Sequence, residues 1–338
     1  MAVSMADITK LRKMTGAGMM DCKNALTESE GDFDKALEII RKKGQAVAAK
    51  RSDRETSEGC VLCKSVGNYA AMIALKCETD FVAKNADFVA LTQASLDAAI
   101  ENKCQTIEEI KALPMGDVTI GDAIVERSGI TGEKTELDGY SFVSGPYTAV
   151  YNHQNKNLLC TIAAFNEECQ AQTAHEVCMQ IAAMNPIAVD EAGVPEEVKQ
   201  NEINVAIDKT KAEQVQKAVE AALKKAGFNL YICESEEHMN EGIMKGSITE
   251  AQAEEIRKIK ETVAAEKAAN LPEQMIQNIA KGRLGKFLKE VCLLRQESIM
   301  DPKQTVADVL KADKADLTVT EFKRFTLRAE YSESQIKI

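Results

Sequence analysis

The chain has 338 residues, which is enough for two or three domains and a sizeable hydrophobic core. Its formal net charge of −11 argues against nucleic acid as the main partner, because a surface that binds phosphate must be basic. The N-terminus lacks the basic and apolar regions of a secretory signal, and no apolar run reaches the length of a membrane-spanning helix. We therefore expect a cytoplasmic protein without a direct nucleic-acid or membrane partner.

The sequence contains ten cysteines, and most of them lie among Ala, Met, Ile and Val residues. A buried free thiol behaves as a small hydrophobic group, so this setting indicates core positions in a reducing compartment. Cys60 and Cys63 form a Cys-x-x-Cys sequence. On a strand these two side chains would face opposite ways, and no second motif supplies the remaining zinc ligands. The sequence therefore predicts neither a metal site nor a bound cofactor.

Residues 5–44 predict three short helices. In the first helix, Ile8, Leu11 and Met14 share a face. In the third helix, Asp32 is the expected N-cap, and Lys42-Lys43-Gly44 is the expected end, before a charged linker that is partly helical at its start. The apolar face of this third helix comprises Phe33, Ala36, Leu37 and Ile40. A helical module of this size is typical of a docking unit, and the alternative is a helical cap on the next domain.

Two apolar runs flank the turn dipeptide Gly67-Asn68, which predicts a β-hairpin. Behind the hairpin, Glu78 to Phe81 form a polar turn that carries a phenylalanine, and residues 85–100 predict a helix. Two interpretations of Phe81 are open at this point. It is either a core side chain behind the turn or a ring displayed for a partner to bind.

A hairpin followed by a helix recurs at residues 147–186, as a weak internal repeat. Aligned through their turns, the two copies place Asp80 and Phe81 opposite Cys169 and Gln170. The acidic-aromatic pair is therefore absent from the second copy. If the hairpin-helix fold required this pair, both copies should carry it, so the difference favours a functional role for Phe81.

Residues from about 195 to 270 predict a charged, coiled-coil-like helical excursion, with helix starts near Pro195 and Ser247. Residues 273–294 predict a helix that returns to the body of the protein. The last strand is predicted at residues 320–329, where Phe325, Leu327 and Ala329 share a face.

No residue cluster typical of catalysis occurs in the sequence. The fragment Gly132-Glu133-Lys134-Thr135 differs from a phosphate-binding loop by an extra residue before the lysine and by the missing first glycine. Three histidines, His153, His175 and His238, lie in unlike contexts, and His175 is expected to be structural. We therefore predict a protein that acts by binding and is not an enzyme.

Several segments resemble the elongation factor Ts family. The most specific are LRKMTGAGMMDCKNALTESEGDFDKALEIIRKKG in the N-terminal helices and CETDFVAKNADF after the first hairpin. The segments HEVCMQIAAMNP and IAKGRLGKF are similar to later parts of the family, so the likeness covers most of the chain. The resemblance implies an α+β fold, which begins with a three-helix ubiquitin-associated-like domain at residues 1–55. Two pseudo-repeated hairpin-helix subdomains would follow at residues 56–145 and 146–338, with a long helical hairpin inserted at about 195–270.

The resemblance also implies a guanine-nucleotide exchange factor for the GTPase elongation factor Tu. In that family a turn of the first subdomain disturbs the Mg²⁺ and phosphate side of the GDP site. The matching residues in this sequence are Thr79, Asp80, Phe81 and Val82. Weaker candidates for contacts with the GTPase are Met19, Met20 and His153.

The sequence departs from the family pattern in two places. Its helical excursion is longer than expected, and the C-terminal helical module of some members has no counterpart. The main alternative function is a chaperone-like or scaffold protein that binds through the N-terminal helical domain and the helical hairpin. A nucleic-acid binder that uses the basic run from Arg41 to Arg54 is a more distant alternative.

Overall fold

The computed structural model describes residues 3–328, and its N-terminal segment forms three helices. These are α1 (Met5–Thr15), α2 (Met19–Glu28) and α3 (Phe33–Lys50). Ile8 and Leu11 are buried among them, and Asp32 caps α3 by accepting hydrogen bonds from two backbone N–H groups. Met14, which the sequence pattern places on the same face as Ile8 and Leu11, is instead exposed.

The next elements build a three-stranded antiparallel sheet around the predicted hairpin. In chain order they are β1 (Glu58–Val66), β2 (Tyr69–Cys77), α4 (Asp80–Ala83), α5 (Ala86–Glu101), α6 (Ile107–Ala112), β3 (Pro114–Met115), β4 (Val118–Thr119), α7 (Ile120–Thr131) and β5 (Glu136–Ser144). The hairpin turn lies at Gly67-Asn68, as predicted. The strand order is β1-β2-β5, so β2 is central and is buried on both faces. The small β3–β4 pair forms a separate two-stranded sheet.

The predicted end of α3 at Gly44 is wrong, because the helix continues to Lys50. Gly44 lies where α3 crosses α7, and its partner there is Gly129. A Cβ on Gly129 would overlap the Cα of Gly44, so the two helix backbones are in direct contact. This glycine therefore permits close helix packing and does not end the helix.

A second hairpin and helix follow, with β6 (Tyr147–Asn152), β7 (Leu159–Phe165) and α8 (Ala171–Met184). The predicted stop of this helix is confirmed, since Asn185 caps its C-terminus in the left-handed conformation. The structure then divides into two compact units. One contains the described residues up to Val189 and from Glu297 onward, and the other is Asp190–Gln296.

The second unit is helical. It contains α9 (Glu196–Lys225), α10 (Leu230–Cys233), α11 (Glu236–Met244), α12 (Glu250–Ala269) and α13 (Glu273–Val291). Its long helix α9 packs against both α12 and α13, and the short helices α10 and α11 join α9 to α12. The predicted cap of α12 at Ser247 is wrong, because Thr249 forms a capping box with Gln252.

The first unit is completed by α14 (Val306–Asp313) and β8 (Val319–Thr326). β8 pairs with β7, which gives a second antiparallel sheet of order β6-β7-β8. This last strand is shorter than predicted, and Ala329 lies outside the described residues.

The two sheets of the first unit pack on each other, and helices cover their outer faces. Alternation along β1 turns Cys60 toward α5 and α7 and turns Val61 toward Cys160 of the second sheet. Cys63 also lies on the side of the second sheet, so the Cys-x-x-Cys pair is split between the faces as predicted. The ten cysteines all lie within the described residues and are free, and Cys63 is the only one of them that is not buried. Within residues 3–328 no helix combines the length and the apolar character needed to span a bilayer.

Candidate functional site

The segment Glu78–Ala83, called here the Phe81 turn, leaves the central strand β2 and closes into the single-turn helix α4. The structure brings the four predicted site residues Thr79, Asp80, Phe81 and Val82 together on this segment. The Phe81 side chain is 84% exposed, whereas Phe88 of the next helix is fully buried. Phe81 is therefore not a core residue behind the turn. An exposed ring on a short, ordered helix is a surface feature that a partner can bury.

Hydrogen bonds to the backbone N–H, the hydroxyl and the carbonyl group of Thr79 hold the base of the Phe81 turn. The Glu133 carboxylate accepts a hydrogen bond from the Thr79 N–H at 3.0 Å and another from its hydroxyl at 2.6 Å. The thiol of Cys77 donates to the Thr79 carbonyl at 3.2 Å. Burial raises the pKa of this thiol to about 12, with a contribution from the Glu133 charge, so it keeps the proton that it donates.

Glu78 forms a second attachment beside the first. Its carboxylate accepts the Lys134 N–H at 2.7 Å and two hydrogen bonds from Arg51 at 2.9 and 3.0 Å. Arg51 is the C-cap residue of α3, so this contact ties the N-terminal helices to the Phe81 turn. The hydrogen bond from Lys134, with help from Arg51, lowers the pKa of Glu78 below its usual 4.5.

Asp80 does not cap a helix. Thr79 occupies the N-cap position of α4, and Asn85 caps α5 by accepting a hydrogen bond from the Asp87 N–H. The Asp80 carboxylate instead accepts a hydrogen bond from Lys84 at 2.6 Å, and this contact lowers the pKa of Asp80. Both side chains remain accessible to solvent, so the pair can exchange partners at little cost.

The weaker candidates lie on other elements. Met19 and Met20 are both exposed in the first turn of α2. His153 lies just after β6 and is half-buried, and its Nδ1 is 3.0 Å from the Tyr151 hydroxyl. The Tyr151 ring also makes an edge contact with the ring of His175. His175 itself is exposed on α8.

Sequence patterns gave no sign of the residues that hold the Phe81 turn. In the sequence, Glu133 belongs only to the fragment that does not match a phosphate-binding loop, and Arg51 lies in the charged segment after Gly44. One usable signal lies just before Glu133. The helix α7 begins with the capping box of Thr119 and Asp122 and ends at Gly132 in the left-handed conformation.

Comparison with known proteins identifies the family of the chain. A family model described as elongation factor TS matches residues 78–329. An elongation factor Ts from Bacteroides thetaiotaomicron is 72% identical over 98% of this chain and all of its own length. The elongation factors Ts of Phocaeicola vulgatus and Porphyromonas gingivalis are 71% and 46% identical, also over 98% of this chain and their full lengths. The chain belongs to the elongation factor Ts family.

Proposed function

We propose that this protein binds elongation factor Tu in its GDP-bound form and promotes release of GDP, so that GTP can load. Membership of the elongation factor Ts family supports this function in outline. The observation that carries the mechanism is the exposed Phe81 ring on an anchored single-turn helix. In this proposal, Thr79, Asp80, Phe81 and Val82 dislocate Mg²⁺ and disturb the phosphate side of the nucleotide site.

Such an activity requires no covalent chemistry in the exchange factor. GDP is held on GTPases of this kind largely through Mg²⁺ and a phosphate-binding loop. A factor that binds the nucleotide-free state more tightly than the GDP-bound state shifts the equilibrium toward GDP release. By linkage, nucleotide rebinding weakens the hold of the factor on the GTPase, which allows the factor to act repeatedly.

The size of the Phe81 ring fits this role. Burial of an aromatic side chain removes about 150–250 Å² of surface from water. At about 25 cal/mol per Å², the gross stabilisation is roughly 4–6 kcal/mol. Each 1.4 kcal/mol of net coupling changes nucleotide affinity about tenfold. Even a fraction of the gross value is therefore enough to accelerate GDP release.

The domain plan proposed with this function has three parts. Residues 1–55 would form the ubiquitin-associated-like docking domain, with Met19 and Met20 facing the GTPase. Residues 56–145 and 146–338 would be the two core subdomains, interrupted by the helical excursion at about 195–270. The three N-terminal helices and the two three-stranded sheets support this plan. Residues 1, 2 and 329–338 lie outside the described part of the chain.

The direct test is the release of fluorescently labelled GDP from elongation factor Tu with and without this protein. We expect the wild-type chain to accelerate release and Phe81→Ala to lose most of that acceleration, roughly tenfold or more. Tyr231→Ala is a matched control, because Tyr231 is also an exposed aromatic residue, at 61%, but lies in the helical unit. Wild-type release rates with Phe81→Ala would rule out the proposed role of the ring.

The chaperone-like or scaffold alternative gains no support from the family match. Deletion of residues 1–54 would not separate the two functions cleanly, because α3 packs closely on α7 through Gly44 and Gly129. The substitutions Met19→Ser and Met20→Ser leave that packing intact. We expect them to weaken binding to the GTPase without changing the thermal stability of the protein.

A further inference from the structure

The Phe81 turn cannot be ordered by its own sequence. The helix α4 has only four residues. An isolated helix of this length is unstable in water, because the conformational entropy lost in forming the first turn outweighs the stabilisation from its hydrogen bond. Its N-cap residue, Thr79, makes no side-chain capping hydrogen bond. The order of this segment therefore depends largely on contacts with residues distant in the chain.

Glu133 supplies the closest of these contacts. Each of its carboxylate oxygens accepts one hydrogen bond from Thr79, one from the backbone N–H and one from the hydroxyl. This two-point contact fixes both the position and the direction of the chain where α4 begins. Bonds to a charged acceptor are also stronger than those between neutral groups.

The backbone around Glu133 is itself well fixed. Gly132 ends α7 in the left-handed conformation, and the Glu133 N–H donates to the Thr131 hydroxyl at 3.3 Å. The next residue, Lys134, donates its N–H to Glu78. Two consecutive residues of this loop thus hold two consecutive residues of the Phe81 turn.

We propose that Glu133 is a positioning residue that holds the Phe81 ring in the orientation needed for exchange. This inference rests on the proposed function, and it adds a residue that lies outside the exposed turn. Without the Glu133 carboxylate, the turn remains attached through Glu78, the Cys77 thiol and the packing of Ala83 on the first core, but the start of α4 loses its two-point contact and becomes more mobile. Phe81 then spends less time in the productive orientation, while docking through other surfaces is unaffected.

The first experiment measures exchange kinetics for Glu133→Gln, which preserves size but cannot accept both Thr79 hydrogen bonds through two charged oxygens. We expect the maximal GDP-release rate to fall about tenfold, while the half-saturating concentration of elongation factor Tu·GDP changes less than about twofold. Asp313→Asn is the matched control, because Asp313 accepts the Gln170 N–H at 2.9 Å in the strand-to-helix connection of the second copy. In a Phe81→Ala background, Glu133→Gln should have no further effect.

The second experiment reads the position of the turn without the GTPase. The sequence contains no Trp, so Phe81→Trp places a single fluorescent reporter on α4. In the free protein, Glu133→Gln should increase the nanosecond mobility of this Trp, seen as a faster anisotropy decay, while Asp313→Asn should leave it unchanged. The circular dichroism spectrum should be the same for all variants.

The outcomes separate the two proposals. If Phe81→Ala abolishes acceleration but Glu133→Gln retains the wild-type maximal rate, Glu133 is not a positioning residue. An unchanged Trp anisotropy in Glu133→Gln leads to the same conclusion. If Glu133→Gln mobilises the reporter but both substitutions leave GDP release unchanged, the geometric inference holds and the proposed function of Phe81 fails.

Discussion

The first unit connects a central strand to a helix twice, and the two connections differ in what they expose. Between β2 and α5 the chain inserts α4 and presents Phe81 to solvent. Between β7 and α8 the chain runs through five residues that form no helix, and Cys169, opposite Asp80 in the alignment, is only 8% exposed. The exposed aromatic is therefore not a requirement of joining a strand to a helix in this fold.

The same comparison shows what the two connections share. Each is tied down by a carboxylate from the segment before the third strand of its sheet. Glu133 holds Thr79 in the first copy, and Asp313 accepts the Gln170 N–H in the second. Anchoring is thus common to both copies, while the display of a ring is confined to one. This contrast separates the structural part of the first connection from the part proposed to act on the GTPase.

The largest expected effect is on the free energy of unfolding, and it should distinguish Phe88 from Phe81, which lies seven positions earlier in the chain. Phe88→Ala removes a fully buried ring from the first core and should lower the free energy of unfolding by about 3–5 kcal/mol. Phe81→Ala should change it by less than about 0.5 kcal/mol, because the ring is already in water. Urea denaturation followed by circular dichroism measures both. A large loss of stability in Phe81→Ala would show that the ring is structural after all.

A smaller effect is expected where α3 crosses α7, the helix that carries the anchoring loop. Gly129→Ala would force apart two helix backbones that touch at Gly44, and it should lower the free energy of unfolding by about 1–3 kcal/mol. Gly282→Ala on α13 is the control, because its added Cβ meets no atom within 4 Å. That substitution should stabilise its helix by about 0.5–1 kcal/mol. Equal thermal shifts in the two variants would contradict the close crossing.

The anchoring of the first connection should also depend on pH. Because the folded structure lowers the pKa of Glu78, this carboxylate stabilises the fold above its unfolded pKa near 4.5, and the stabilisation is lost as pH falls through the folded value. In the Phe81→Trp variant, the reporter should therefore gain mobility as pH falls through the folded-state pKa of Glu78, which lies below its usual 4.5. Glu78→Gln should remove that part of the pH dependence. A pH profile identical in both proteins would exclude Glu78 as its source.

The smallest expected effect on stability is that of Asp80. Its ion pair with Lys84 is open to solvent, so Asp80→Asn should leave the urea midpoint unchanged. If Asp80 contacts the GTPase as proposed, the same substitution should still slow GDP release. Lys84→Met removes the local partner and should affect neither quantity. A loss of stability in Asp80→Asn would instead indicate that the ion pair orders α4.

Much of the fold could be predicted from local patterns. Apolar spacing, the turn dipeptide Gly67-Asn68 and the cap residues Asp32 and Asn185 correctly indicated helices, a hairpin and helix ends. Between residues 102 and 144 the local patterns predicted no elements, although α6, α7 and β5 lie there. They also failed at Gly44, because a glycine that ends a helix and one that permits helix crossing look alike in sequence.

By itself the sequence determined most of the long helices, the first hairpin, the position of Phe81 and the likeness to the elongation factor Ts family, since these depend on residues close together in the chain. Only the tertiary structure decided that Phe81 is exposed and that Glu133, Glu78 and Arg51 hold the turn beneath it. The contacting pairs are separated by 54 residues for Thr79 and Glu133 and by 27 for Arg51 and Glu78. The sequence around a loop carboxylate does not indicate which distant N–H group will donate a hydrogen bond to it. The contact between Glu133 and Thr79 can therefore be identified only from the tertiary structure, in which the sheet and α7 bring the two segments together.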